Sequence, residues 1–226
     1  MNQRTDFDDW AADYVELAQK NVSFFDKDVT YFAEYKVRLI RNMVDLVGGR
    51  ILDFGCGVGQ SIPFFYRYFP MSRIVGCDIS RRSLETAGRR IPSAEFFHPE
   101  ELPPELRFDL IFSAGVFHHI PPQDRPKTVE FCRSRLANNG TLVIFEHNPC
   151  NPVTRRLVAS CAFDKDASLL KRKQLAGLLA AAQLERIRWG YTLFFPVTLR
   201  LLGPLERYLE RIPLGGQYYV LGHNPG

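Results

Sequence analysis

Side chains able to do chemistry fall at four points of the chain. The first is Ile51-Leu-Asp-Phe-Gly-Cys-Gly-Val-Gly59, where an apolar strand runs into glycines spaced G-x-G-x-G and then into a helical pattern. Glycine suits a sharp turn whose backbone a ligand must approach closely, and the helix that follows offers unpaired N–H groups and the positive end of its dipole. The second point is Asp78, nineteen residues after Gly59 and at the end of the next strand. An acid at that spacing accepts hydrogen bonds from both ribose hydroxyls of an adenosine-type ligand. The third and fourth are His118-His119, after a later strand, and Glu146-His147, which ends the one after that. All four are candidate bases at the carboxyl edge of a sheet, and histidine accepts a proton near neutral pH. Each pair also has a structural role open to it, bracing its loop or capping the turn at Asn148-Pro149.

The elements that position these groups alternate. Helices are predicted over Phe7–Lys20 and Thr30–Val47, the latter with Tyr31, Tyr35, Leu39 and Met43 at helical spacing, stopped by Gly48-Gly49. Strands over Arg50–Phe54, Arg73–Cys77, Ala94–Phe97, Phe108–Phe112 and Thr141–Phe145 interleave with helices over Gln60–Tyr68, Arg81–Arg90 and Gln123–Leu136. That rhythm implies right-handed crossovers and a parallel sheet covered on both faces. Beyond Phe145 the rhythm changes. Asn148-Pro-Cys-Asn-Pro152 reads as a turn cluster, Ser168–Ala181 as a helix, Leu184–Tyr191 as a strand and Gln217–Leu221 as a last strand.

The chain has 226 residues, 46% hydrophobic and 24% charged, which suits one globular α/β domain with a modest extension. The polar, acidic start argues against a signal or transit peptide, and no apolar run of membrane-spanning length occurs. Five cysteines without paired or metal-ligand spacing read as reduced thiols, so a cytoplasmic protein is expected. No group of His, Cys, Asp and Glu has metal-ligand spacing, so no metal is expected. The net charge of +4 is uneven. Residues 1–150 hold 18 basic and 20 acidic side chains, and residues 151–226 hold 11 and 5.

Dinucleotide and S-adenosylmethionine folds both begin with a strand, a glycine turn and a helix. Here the spacing is G-x-G-x-G instead of G-x-G-x-x-G, and Asp53 precedes the first glycine by two residues, where it can face a ligand ammonium group. The sequence resembles the class I S-adenosylmethionine-dependent methyltransferases, in the branch of ubiquinone/menaquinone-biosynthesis and small-molecule enzymes. The resemblance rests on Leu52-Asp-Phe-Gly-Cys-Gly-Val-Gly59, Gly76-Cys-Asp-Ile-Ser80, Glu101-Leu-Pro103, Phe108-Asp-Leu-Ile-Phe112, Val116-Phe-His-His-Ile-Pro121, Asn139-Gly-Thr-Leu-Val-Ile144 and the entry segment Phe7-Asp-Asp-Trp-Ala-Ala-Asp-Tyr14.

The resemblance implies an α/β, Rossmann-like, seven-stranded and mostly parallel sheet with helices on both faces, an antiparallel last strand and an N-terminal helical lid. It divides the chain into a cap (1–49) and a methyltransferase domain (50–226), with substrate-side helices and an insertion in 148–216. It implies S-adenosylmethionine as cofactor, with Asp53, Gly55, Cys56 and Gly57 on its methionine and ribose side, Asp78 on the ribose and Ile79 on the adenine. Ser113 would close over the methionine and Tyr14 would cap the site. Where the family usually has an Asp reading the adenine amino group, this chain has His98. A proton-accepting base is sought among His118, His119, Glu146 and His147.

In the C-terminal third, 194–212 interleaves aromatic and leucine side chains with arginines. This suits either a peripheral contact with the inner face of a membrane or a lid or dimer surface. The acceptor expected is a small molecule or a lipid- or glycan-linked one, and nucleic acid is not expected, since no RNA-binding module is present and the basic patch is small. A non-catalytic scaffold of the same fold is the alternative reading.

Overall fold

The computed structural model describes residues 30–161 and 164–226. The helix expected over Phe7–Lys20, and Tyr14 with it, lies outside the described residues. In chain order the elements are α1 (Thr30–Arg41), β1 (Arg50–Phe54), α2 (Ile62–Tyr68), β2 (Arg73–Cys77), α3 (Arg81–Arg90), β3 (Glu95–Phe97), β4 (Phe108–Ala114), α4 (Arg125–Arg135) and β5 (Leu136–His147). Then follow α5 (Pro152–Ser160), α6 (Arg172–Ala181), β6 (Glu185–Thr192), a 3-10 segment (Val197–Leu205) running into α7 (Glu206–Leu209), and β7 (Gln217–His223).

The seven strands form one sheet in the order β3-β2-β1-β4-β5-β7-β6. Strands β1 to β5 pair in parallel, and β7 runs antiparallel to both neighbours. Because the chain builds outward from β1 through β2 to β3 and then returns to β4, a crevice opens above the carboxyl ends of β1 and β4. Alternation along the strands divides the core. Leu142 and Ile144 face a cluster with Val129 and Cys132 of α4 and Leu175 and Leu179 of α6, whereas Val143 and Phe145 face Val37 and Ile40 of α1 and Phe65 of α2.

Several boundaries differ from the sequence expectation, β5 for one starting at Leu136 and not at Thr141, and two of them bear on the site. Helix α1 ends at Arg41, six residues early, and Met43, Val44 and Leu46 pack irregularly against the core beneath it. The proline cluster 148–152 starts a helix as well as making a turn. The Asn151 side chain accepts from the N–H groups of Val153 and Thr154 at 2.9 and 3.0 Å, and Pro152 takes the first helical position, where its missing N–H costs nothing. Among the described residues no helix is long and apolar enough to cross a membrane.

Candidate active site

A cavity of about 740 Å³ occupies the crevice. Its floor is the glycine turn. Gly55, Gly57 and Gly59 all have positive φ (77°, 51° and 78°). A Cβ on Gly55 would lie 2.2 Å from Cγ2 of Val116, whereas one on Gly57 would meet nothing within 4 Å, because it would project into the cavity. The turn is tied down by its neighbours: the Gly55 and Cys56 N–H groups donate to the Cys77 carbonyl (2.7 and 3.1 Å), and the Gly57 N–H donates to Oδ2 of Asp78 (2.8 Å). Oδ1 of Asp78 accepts from the Ser80 N–H at 2.9 Å, so both oxygens of this carboxylate are held in place.

Asp53 is 3% exposed, and its Oδ2 has no hydrogen-bond partner among the described residues. Burial, then the Asp78 charge, push its carboxyl up to about 8. A buried carboxyl with one unpartnered oxygen beside an open glycine turn fits a ligand ammonium group, which would restore its charge. Cys56 and Ile79 also line the cavity, and Ile79, 63% exposed, offers an apolar face to a flat ring. Two expected residues do not reach the wall. His98 stands behind Pro99, its Nδ1 3.4 Å from the Glu100 N–H, and Ser113 is buried on the other side of β4, whose Phe112 and Ala114 line the cavity instead.

The four candidate bases converge, but in different roles. Glu146 is 1% exposed and fully engaged: Oε1 accepts from the N–H groups of Val116 and Phe117 (3.0 and 2.7 Å), and Oε2 lies 2.7 Å from Nδ1 of His118. It braces the loop after β4 and is no free base. Although burial opposes it, the neighbouring His118 and the backbone donors hold its carboxyl below the usual range. Burial pulls His118 down, but Glu146 and Asp164 outweigh it and leave the ring at about 9. His119 and His147 line the cavity, and burial, followed by the His118 charge, lowers both to about 4.

Asp164 and Lys36 complete the site, and neither is among the residues singled out from the sequence. Asp164 stands in the Phe163-Asp-Lys-Asp166 segment, 3.4 Å from Nε2 of His118 and 3.3 Å from Nε2 of His119. Lys36, on α1, faces the cavity, and burial lowers it to about 8 against the pull of Glu146 and Asp53. Arg125, 6% exposed, fastens the same loop by donating to the carbonyls of Phe117, Ile120 and Ser168. The fold also overturns the spacing argument against a metal cluster: His118, His147 and Asp164 come from three separate segments, yet their ligand atoms lie within 4.8 Å of one another.

Comparison with known proteins agrees with this geometry. A family model described as "Methyltransferase domain" matches residues 52–142. A trans-aconitate 2-methyltransferase of Azoarcus sp. is 27% identical over 177 residues, covering 76% of this chain and 67% of the relative. The chain spans 59% and 52% of the next two curated relatives. Among solved structures, a SAM-dependent methyltransferase from Archaeoglobus fulgidus superposes with a TM-score of 0.70 at 16% identity, covering 93% of this chain and 99% of that one. Phosphoethanolamine N-methyltransferase 2 of Haemonchus contortus, solved with S-adenosyl-L-methionine, gives a TM-score of 0.67 at 15% identity over 98% of this chain and 60% of its own. The glycine turn with its two acids, the strand order with an antiparallel last strand, and these likenesses agree: the chain resembles the class I S-adenosylmethionine-dependent methyltransferases and shares their fold.

Proposed function

We propose that the protein transfers the methyl group of S-adenosylmethionine to a hydroxyl oxygen of a small or carrier-linked acceptor. One observation carries this reading: the Asp53–Gly57–Asp78 cradle and the imidazoles of His119 and His147 line one and the same cavity. Asp53 would hold the cofactor ammonium, Asp78 the ribose and Ile79 the adenine, leaving the sulfonium methyl toward the histidines. In the transfer, the acceptor oxygen bonds the methyl carbon as the carbon–sulfur bond breaks, and S-adenosylhomocysteine leaves. The acceptor proton passes to a neutral imidazole on the wall, His119 or His147. The test supplies the protein with methyl-labelled cofactor and pools of hydroxylated metabolites. Label in an alkali-stable methyl ether supports the reading, label in an N-methyl or C-methyl product refutes it, and tight cofactor binding with no transfer to any pool supports the scaffold alternative.

The acceptor side would be built by 148–216 together with the cap. The cavity wall includes Leu157, Val158 and Phe195. Next to Phe195 the chain exposes Leu201 (89%), Leu205, Tyr208 and Ile212, with Arg207 stacked 4.6 Å over Tyr208 and Arg211 4.4 Å over Trp189. This apolar rim with cations at its edge supports an acceptor carried on an amphiphile at the inner face of a membrane. Co-sedimentation with anionic vesicles that Leu201→Glu abolishes is the expected result; equal sedimentation of the two proteins would remove the membrane contact from the proposal.

A further inference from the structure

We propose that the cavity binds a divalent transition-metal ion of the zinc class through Nε2 of His118, a ring nitrogen of His147 and a carboxylate oxygen of Asp164. Three features of the geometry lead there. Glu146 takes the Nδ1 side of His118 at 2.7 Å, and Glu146 is itself held by two backbone N–H groups. That arrangement fixes the ring and turns its Nε2 toward Oδ1 of Asp164, where a bound ion would take the place of the Nε2 proton. The two atoms stand 3.4 Å apart. This is long for a charge-assisted hydrogen bond, roughly 2.7–2.9 Å, but equals the edge of a tetrahedron around an ion with bonds of about 2.1 Å.

The second feature is His147. It lines the cavity with its ring centroid 5.1 Å from that of His118, and its ring makes no hydrogen bond to any described residue. An imidazole so placed is available to donate a lone pair. The third is the supporting shell. A carboxylate behind a ligating histidine fixes the ring and raises its basicity, and the Glu146–His118 pair has that form. Two imidazoles and one carboxylate suit zinc, cobalt or ferrous ions over magnesium or calcium, and leave a coordination position facing the cavity. An acceptor hydroxyl bound there would be oriented and made more acidic, its proton leaving to His119; this role rests on the methyl-transfer reading, while the metal site itself does not.

The test uses the untagged full chain, stripped with chelator and titrated with Co²⁺ alone. One equivalent bound, with the visible absorption of a low-coordinate Co²⁺ centre that Zn²⁺ then bleaches, is expected. Asp164→Asn and His147→Ala should each abolish the absorption, and Glu146→Gln should weaken binding by about 10–100-fold. No saturable Co²⁺ binding by the folded wild type overturns the proposal, whether or not any variant folds; so does unchanged affinity in both ligand variants. A parallel titration with S-adenosylmethionine separates the two readings. Cofactor bound without Co²⁺ refutes the metal site alone, and Co²⁺ bound without cofactor refutes the methyl-transfer reading alone.

Discussion

The carboxylate of Glu146 reaches His118 through one oxygen, 2.7 Å from Nδ1, and the backbone of Val116 and Phe117 through the other. One side chain at the end of β5 thus sets both the loop after β4 and the ring that loop carries. Glu146→Ala leaves two buried N–H groups and a buried imidazole without their partner, and should cost about 3 kcal/mol of stability. Chemical denaturation measures this directly. The control Glu85→Ala, in an exposed 3.7 Å pair with Arg89, should change stability by less than about 0.5 kcal/mol.

Asp53 links pH to both stability and binding. Its folded carboxyl sits at about 8, above the ordinary value of 3.8, so the folded chain holds a proton there that the unfolded chain releases. The stability this gives is therefore complete below about pH 4 and is lost as pH rises toward 8. Asp53→Asn should remove that loss and make the cofactor-free protein relatively more stable at pH 8 than at pH 5. The same substitution should abolish tight cofactor binding. In the wild type, binding the cofactor ammonium should expel the proton, and calorimetry at pH 7 in buffers of different ionisation enthalpy should record its release. Absence of proton release would refute the assignment of Asp53 to the ammonium.

The two glycines of the turn should respond differently to alanine. At Gly55 the new Cβ meets Val116 at 2.2 Å in a positive-φ conformation, so Gly55→Ala should cost several kcal/mol and disturb folding. At Gly57 only the backbone conformation resists, for about 1 kcal/mol, a fall of roughly 2–4 °C in melting temperature. Its methyl group projects into the cavity, so cofactor affinity should drop by at least about tenfold. Thermal melting and cofactor titration of the two variants would separate these costs. Equal affinity in Gly57→Ala and wild type would show that the ligand does not approach this turn.

Glu206 is a second buried carboxylate clamp. It accepts from the N–H groups of Leu193 and Phe194 at 3.1 and 3.0 Å and from the hydroxyl of Tyr35 on α1. Glu206→Ala should free the amides of Leu193 and Phe194 and raise their hydrogen exchange by about tenfold or more, with the β1–β4 amides unaffected. Unchanged exchange would mean that the segment is held by packing alone.

The candidate cofactor cradle, a glycine turn between two acids that line one cavity, is legible in the sequence because its logic is local. A strand, a glycine turn and a helix within a dozen residues, then Asp78 one crossover later, announce themselves without tertiary information. Ser113 is a different case, since simple alternation along β4 sets it opposite Phe112 and Ala114, and family analogy placed it at the cofactor against that pattern. His98 follows analogy too, while its neighbour Pro99 reaches the wall. Neither Asp164 nor Lys36 stands in a motif whose spacing assigns it a role. Lys36 sits in an ordinary amphipathic helix, and only the packing of α1 over the sheet aims it inward. Asp164 meets the histidines after a helix, α5, that a pair of prolines disguised as a turn. The metal-ligand set is invisible to spacing for the same reason: its members lie 29 and 17 positions apart and meet only at the sheet edge.

Among the described residues strand β6 pairs only with β7, and β7 is made later. A ribosome therefore delivers β6 with nothing to pair with, and leaves the edge of the twelve-residue β5 open until Gln217–His223 emerges. The parallel part of the sheet, with its glycine turn, can assemble while β6 waits. Pulse-labelled refolding should then find the amides of β6 and of the β5 edge protected last and together. During that interval the growing chain is most exposed to strand-pairing errors, and its vulnerability to aggregation belongs to the half that would select the acceptor.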